Sequence, residues 1–437
     1  MNFQQSLDYL LSLGFERSVK KFGLENTTVL LDALGNPQNK FLKIQVAGTN
    51  GKGSTCAFLE SICRSAGISA GLNTSPHLVS VTERIRLDGA DISEKKFAQY
   101  ATRVREVGER LVLEGALPGL PTFFEHITAM AQSIFADEGM EIAILEVGLG
   151  GRFDATTATL PEIVAFTPID LDHTKTLGGT IAEIAAEKAA IIRSDTRVFS
   201  VPQNKEAEAV IDCKCRQHGV EPDWVVPGVS EVDDGITRFE TETRGYNVKL
   251  DIPGRHQWTN AALAISIAEA LSDWNINISK DDTAAGLERA RHPGRLEYGD
   301  GILYDGAHNV AGAVALREYL LGNVKKPITM IYGTSSGKSV EEIAKILFPI
   351  AENLILTTSE NPRAVNASEF AGEAAKYIAV EKRHVVEGVG NALELGKELA
   401  GDNVLLVTGS LYLIGEVKAY LKDRAVERRK KKPMTDN

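Results

Sequence analysis

Short apolar runs, each followed by a helical pattern, recur along most of this 437-residue chain, and that rhythm restricts the fold more than any single motif. "ISAGL" at 68, "EIAILEV" at 141, "EIVAFT" at 162 and "RVFSV" at 197 all read as strands. Strands alternating with helices build a mostly parallel sheet covered by those helices, an α/β fold. Between 228 and 252 the texture changes to "VSEVDDGITRFETETRGYNVKLDI", which reads as a small antiparallel excursion, and a helix from about Gln257 to Trp274 then resumes the rhythm. Pro293 and its flanking glycines break it again. Beyond them "PITMIYG", "NLILTTS" and "NVLLVTG" each precede a helical segment. A chain of this length favours two domains, and the expected division is 1–293 and 294–437, the second a smaller α/β domain.

The first strand of the series leads into "KIQVAGTNGKGSTCAFLESI", residues 43–62. The strict phosphate-loop pattern anchored on Gly51 and Lys52 would need glycine at Val46 and a hydroxyl residue at Gly53. The register differs, but the parts are those of an anion cradle. Gly48, Gly51 and Gly53 let backbone N–H groups approach an anion, and a helix starting near Ser54 aims its positive end at the same spot. Lys52 adds a charge, and Ser54 and Thr55 supply hydroxyls one place late. The reading is a loop for an ATP-like ligand; a structural glycine turn is the alternative, and neither names a reaction.

Composition removes several classes of function. A net charge of −11 argues against nucleic acid, whose phosphates need a basic footprint. No run approaches the roughly 18 apolar residues of a membrane-crossing helix. The start, "MNFQQSLDYLLSLGFERSVKK", has an amphipathic helical pattern without the features of a signal peptide, so a cytoplasmic protein is expected. Cys56 and Cys63 lie on the helix after the loop, and Cys213 with Cys215 forms one C-x-C with no second pair to complete a zinc site. The closing "ERRKKKPMTDN" reads as a solvated end. No exposed heptad stripe speaks against a monomer.

Two residues stand out on pattern alone. Glu146 ends "EIAILEV", and a carboxylate at the carboxyl end of a strand faces the crevice where α/β sheets bind ligands; a helix cap or salt bridge is the plainer role. Lys188 lies on an expected helix over 180–192 with Ile184, Ala185, Ile191 and Ile192 around it, an apolar face. Burial there favours the neutral amine. A lysine that snorkels its ammonium to the surface is the alternative.

The blocks "VAGTNGKGST", "TSPHLVSVTERIRLDG", "TFFEHITAMA", "EVGLGGRFDAT", "DLDHTKTLGGTIAEIAAEKAAII", "PGRHQWTNAALA", "PGRLE", "YDGAHN" and "TGSLYLIGEV" follow one another along the chain. Together they resemble folylpolyglutamate synthase and dihydrofolate synthase, a branch of the Mur ligase superfamily. The resemblance implies an N-terminal P-loop-type ATPase domain and a C-terminal Rossmann-like domain. It also implies ATP-dependent amide formation: a substrate carboxylate takes the γ-phosphoryl group, and the amine of L-glutamate attacks the acyl phosphate. The substrates implied are ATP, glutamate and folate or dihydropteroate, with magnesium, as two ions, as cofactor. Positioning and electrostatics dominate such phosphoryl transfer.

Carried over by residue, Thr49, Asn50, Gly51, Lys52, Gly53 and Ser54 match the ATP phosphate loop, and Ser75, Glu146 and His173 match the magnesium ligands. Lys188 matches a lysine that becomes carbamylated. Asn260, Arg295, Asp305 and His308 are further implied ATP contacts on both sides of the boundary, so closure would gate turnover. From sequence alone, Asn260 reads as a helix-surface amide, Arg295 as a linker salt bridge, and "DLDHT" or "YDGAHN" as turns, with Asn309 as a helix cap. Substrate contacts are implied for Thr122, Phe123, Phe124 and Glu125 and for Phe153, Asp154 and Ala155. The three phenylalanines could stack on a pterin or aminobenzoate ring, although aromatics that begin a helix are more often core, and Arg84 or Arg86 could meet a carboxylate.

Two departures touch these pockets. Thr157 stands where the family commonly has asparagine, and Ala190 where it has glycine. The competing readings are a different Mur-type amino-acid ligase, and a phosphotransferase or NTPase that makes no amide.

Overall fold

The computed structural model describes residues 1–14, 23–225, 228–232 and 235–431. It divides into two units. The first comprises Met1–His77, Val81–Asp251 and His256–Arg291, and the second Leu78–Ser80, Ile252–Arg255 and the chain from His292 on.

The first unit is built on eight strands: β1 (Leu42–Ala47), β2 (Ala70–Asn73), β3 (Ile85–Leu87), β4 (Ala90–Asp91), β5 (Ile142–Glu146), β6 (Ile163–Phe166), β7 (Arg197–Ser200) and β8 (Pro222–Trp224). Their order across the sheet is β4-β3-β2-β5-β1-β6-β7-β8. All neighbours from β2 to β8 pair in parallel, and β3 and β4 complete the edge antiparallel. The runs read as strands in the sequence are all present. They are apolar on both sides because helices cover both faces of such a sheet. Three further strands, β9 (Gly228–Glu231), β10 (Thr237–Glu240) and β11 (Gly245–Val248), form the antiparallel excursion as a separate sheet.

Register fixes what shares a face. Lys43 and Gln45 of β1 lie opposite Ala143 and Leu145, and Gln45 and Ala47 lie opposite Val164 and Phe166. That face carries two apolar clusters, one around Ala143 and Leu145 and one around Val164, Phe166 and Val198. Buried polar groups lie between them: Lys43 Nζ meets Glu162 Oε1 at 2.9 Å, and Gln45 Nε2 donates to the hydroxyls of Thr156 and Thr157 at 2.8 Å. Such pairing is what burial of these groups requires. The alternate positions, Val46 beside Glu146, face the other way. The helix Lys52–Ser65 packs on β5, β2 and β1 and against the helices His256–Ala270 and Lys280–Arg289.

The second unit has β12 (Glu297–Gly299), β13 (Ile302–Asp305), β14 (Ile328–Tyr332), β15 (Asn353–Leu356), β16 (Arg383–Val385) and β17 (Val404–Thr408) in the order β12-β13-β17-β14-β15-β16. Only β12 is antiparallel to its neighbour. Helices Val310–Asn323, Val340–Leu347 and Ala367–Ala374 share one core, and Val389–Ala400 and Leu411–Lys431 share another.

Boundaries differ locally from expectation. The amphipathic start forms a helix over Phe3–Ser12, and 15–21 of that stretch lie outside the described residues, as do 432–437 of the basic end. The helix expected to reach Trp274 ends at Ala270 and continues as a 3-10 turn, Leu271–Trp274. Among the described residues no helix is long and apolar enough to cross a membrane.

Gly286 permits a close helix approach: a Cβ there would lie 2.4 Å from Ile62 Cα. Gly286→Val is expected to lower stability by about 1–3 kcal/mol through overpacking, measured by chemical denaturation.

Candidate active site

The carboxyl ends of β1, β2, β5 and β6 are level, with Val46 opposite Glu146, Ala47 opposite Phe166 and Asn73 opposite Leu145. The loops leaving them therefore converge. Gly48 (φ 145°) presses on the segment after β6, where a Cβ would lie 1.9 Å from Thr167 Oγ1. The amides of Thr49 and Asn50 donate to the Pro168 carbonyl at 2.9 and 3.3 Å, and Thr49 Oγ1 donates to the Asp170 carbonyl at 3.0 Å. The helix begins at Lys52, earlier than expected, because Gly51 (φ 93°) ends the loop in a left-handed conformation. A Cβ on Gly51 would lie 2.2 Å from Asn260 Oδ1. Asn260 is thus a buried partner of the loop and not a surface amide, and its Nδ2 donates to Gln257 Oε1 at 2.9 Å. Gly53 and Ser54 fall in the first helical turn, whose N–H groups the helical ladder does not consume.

Two lysines meet on this loop. Lys52 Nζ donates to the carbonyls of Gly48 and Thr49, both at 3.1 Å. Lys188 is only 4% exposed, and its Nζ donates to the same Gly48 carbonyl at 2.7 Å. Burial lowers the Lys188 pKa to about 7, the nearby Lys52 charge acts in the same direction, and Asp172 and Asp154 oppose both. The ammonium does not snorkel. Its helix, Ile181–Ala189, starts with a capping box between Thr180 and Glu183 and ends before the expected 192. Gly151 lets the loop after β5 lie against it: a Cβ would stand 2.9 Å from the carbonyls of Glu187 and Lys188. Ala190 is the C-cap at φ −62°, a conformation that needs no glycine. Thr157 closes its own loop by donating to the Gly151 carbonyl at 2.8 Å. Both departures from the family pattern are accommodated.

Glu146 is buried and accepts from the Thr74 hydroxyl and, at 3.0 Å, from the Ser75 amide. It caps no helix. Burial first, and then the Glu146 charge, push the Cys56 thiol well up, with Lys52 opposing. His173 (φ 53°) precedes the short helix Thr174–Leu177, with Asp172 Oδ1 3.8 Å from its Nδ1.

Beside this lies the loop "GLGGRFDA". Asp154 is buried and accepts from the amides of Gly148, Leu149 and Thr156 at 2.9, 3.0 and 3.1 Å; burial raises its pKa in spite of those bonds. Ala155 is buried next to it. Phe124 comes within 2.8 Å of where a Gly148 Cβ would be, while Phe153 is 43% exposed. Thr122 and Glu125 form a capping box for the helix Phe123–Asp137, and Glu125 Oε1 also accepts from Thr27. Both have a structural task. Arg84 is nearly buried, with Nε donating to His77 Nδ1 at 2.8 Å and its guanidinium 5.1 Å from the Phe123 ring centre. Arg86 pairs with Asp91 at 3.3 Å.

Within the second unit, Asp305 accepts from the amides of Leu296 and Ala307 at 3.0 Å, and its pKa is raised by burial although Arg295 opposes this. Arg295 and His308 both contact the Gly306 carbonyl, at 3.3 and 2.8 Å. Asn309 is the expected helix cap.

Sequence reasoning missed Thr74, which binds Glu146, and Asp172, which neighbours both His173 and Lys188. Asp172 was within reach, since it directly precedes His173.

The comparisons with known proteins agree with this layout. The family model for the Mur ligase middle domain matches residues 46–268, and that for the dihydrofolate synthetase C-terminal domain matches 297–422. The dihydrofolate synthase/folylpolyglutamate synthase of Bacillus subtilis is 33% identical over 416 residues, covering 92% of this chain and 95% of that protein. The folylpolyglutamate synthase of Lacticaseibacillus casei is 31% identical and covers 96% and 99%. Among solved structures, Mycobacterium tuberculosis folylpolyglutamate synthase complexed with ADP matches with a TM-score of 0.86 at 27% identity, covering 96% of this chain and 98% of that one. E. coli FolC in complex with DHPP and ADP matches at 0.85 and 27%, covering 97% and 99%. The fold and crevice are those of a Mur-type ATP-dependent ligase. Within that class the chain belongs to the folylpolyglutamate synthase and dihydrofolate synthase family.

The lowered Lys188 pKa predicts a pH effect on stability. Between about 7 and the unfolded value of about 10.4 the unfolded chain binds the additional proton, so the fold gains stability as pH rises through that window. Wild type should gain on Lys188→Met by up to about 1.4 kcal/mol per pH unit there, measured by denaturant unfolding at pH 7, 8 and 9.

Proposed function

We propose that this chain joins the amine of L-glutamate to the carboxylate of a pteroyl acceptor, dihydropteroate or a reduced folate, acting as a cytoplasmic monomer. The observation that carries the reading is the meeting of Lys52 and Lys188 at the Gly48 carbonyl, on the level strand ends that also bear Glu146. Thr49, Asn50, Gly51, Lys52, Gly53 and Ser54, with Asn260 behind Gly51, hold the phosphates of ATP. An acceptor carboxylate oxygen attacks the γ-phosphorus, the bond to the bridging oxygen breaks, and ADP leaves. The glutamate nitrogen then attacks the acyl carbon and loses a proton, and phosphate departs with the former carboxylate oxygen. Lys52 and the first-turn amides stabilise charge on the transferring group.

Ser75 and Glu146 offer hard oxygen donors side by side, which suits magnesium, and His173 is the third ligand in this reading. Magnesium would supply neutralisation of phosphate charge. Buried, with its pKa lowered to about 7 so that a substantial share is unprotonated at that pH, the Lys188 amine adds to carbon dioxide. Its lone pair forms the N–C bond, a proton is lost, and the carbamate oxygens can hold a second ion. Phe124, Asp154 and Ala155 line the acceptor side, with Phe153 exposed at its edge, while Thr122 and Glu125 shape it by capping the helix that carries Phe124.

The deciding assay offers labelled glutamate and ATP with dihydropteroate and with tetrahydrofolate in separate reactions. Labelled amide from one or both is expected; ATP hydrolysis with no glutamate product from either would move the chain to another Mur-type ligase or an NTPase. Lys188→Ala is expected to abolish ligation while ADP binding stays within a few-fold of wild type. A carbamate resonance under 13C-bicarbonate should be present in wild type, absent from the variant, and weaker below about pH 7. Full turnover in Lys188→Ala would contradict the carbamate role.

A further inference from the structure

An amide inside the sheet reaches two parts of the crevice at once. Gln45 of β1 is wholly buried, and its Nε2 donates to the hydroxyls of both Thr156 and Thr157, each at 2.8 Å. Each hydroxyl has a single proton to pass on. Thr156 donates its own to Asp154 Oδ1, and Thr157 donates to the Gly151 carbonyl at 2.8 Å. The direction of both arms is therefore set by Gln45. Turning the amide over would bring Oε1, which makes no hydrogen bond among the described residues, against two hydroxyls whose protons are already given.

The first arm ends on the acceptor side. Asp154 caps the 3-10 turn Ala155–Thr159: its Oδ1 also accepts from the Thr156 amide, while Oδ2 accepts from the amides of Gly148 and Leu149. Oδ2 and the Phe124 ring both border Gly148, 3.3 and 2.8 Å from where a Cβ would stand. The turn packs against the helices Glu25–Ala33 and Phe123–Asp137. The second arm ends at Gly151, whose close approach to the carbonyls of Glu187 and Lys188 seats the loop on the Lys188 helix. Gln45, fully enclosed, acts only through these two arms.

We propose that Gln45 is a positioning residue for the acceptor: by orienting the Thr156 hydroxyl it fixes Asp154 beside Phe124, and with it the pocket that takes the pteroyl group. This rests on the ligase reading above, which puts the acceptor at Phe124, Asp154 and Ala155. An isosteric apolar side chain at 45 would keep the volume and lose both donors. The Thr156 hydroxyl would then lose the partner that directs its proton to the carboxylate, and a binding group is only as well placed as the contacts behind it. The phosphate loop has separate anchors in Pro168, Asp170 and Asn260, so ATP binding should be spared.

The test is steady-state kinetics on the full chain with the acceptor that the wild type ligates. Gln45→Met and Thr156→Val are each expected to raise the KM for acceptor tenfold or more with KM for ATP within twofold, and Thr156→Ser, which keeps the hydroxyl, to stay within threefold of wild type. The double variant Gln45→Met/Thr156→Val should be no worse than the more affected single one, because both cut the same chain of bonds. Acceptor KM unchanged in both single variants overturns the proposal. So does a double variant whose KM rises by the product of the single effects. A loss confined to kcat and to the denaturation midpoint is what a purely structural bond gives, and it too overturns the proposal. If Gln45→Met fails to fold, Thr156→Val against Thr156→Ser decides alone. A wild-type chain that ligates glutamate to neither dihydropteroate nor tetrahydrofolate sinks the ligase reading separately. Equilibrium dialysis of each labelled pteroyl compound then decides the positioning role: binding weakened tenfold in Thr156→Val and kept in Thr156→Ser supports it, and binding unaffected by either change, or absent from wild type, overturns it.

Discussion

One carbonyl oxygen, that of Gly48, receives the ammonium groups of both Lys52 and Lys188. Two amines protonated at one acceptor would repel each other, which adds to burial in lowering the Lys188 pKa. The parallel sheet surrounds them. Its level strand ends supply Gly48 from β1 and Thr167 from β6, and the loop after β5 packs through Gly151 onto the helix that carries Lys188. The arrangement keeps Lys188 dry, and dryness lowers its pKa. The reactivity assigned to this lysine is therefore a consequence of packing and not of any neighbouring base.

The same sheet explains the separation of tasks in the first unit. On one face Gln45 and the Thr156–Thr157 hydroxyls divide two apolar clusters, and on the other Glu146 projects beside the helix Lys52–Ser65. A buried polar group is costly unless it is hydrogen-bonded, and Gln45 Nε2 meets that requirement through both hydroxyls. Asp154 is held by three backbone amides, yet burial still raises its pKa.

Periodicity exposed what depended on one element. The apolar face around Lys188, the strand carrying Glu146 and the antiparallel excursion were all legible, because side-chain direction repeats every two or 3.6 residues. Contacts between distant segments were not. Nothing near Asn260 in the sequence signals that its amide lies against Gly51. Thr122 and Glu125 carry a legible signal of their own: T-x-x-E before an apolar run is a capping signature, and the capping box is present on the helix Phe123–Asp137. Arg84 reads from the sequence as a partner for a carboxylate, and nothing beside it signals its contacts with His77 and Phe123.

The central claim is that the crevice activates a carboxylate by phosphorylation before an amine arrives. Acceptor labelled with 18O in its carboxylate, incubated with ATP and glutamate, tests it directly by mass analysis of the released phosphate. One 18O atom per phosphate formed is the predicted result. Phosphate free of the label, alongside normal amide yield, would contradict the account.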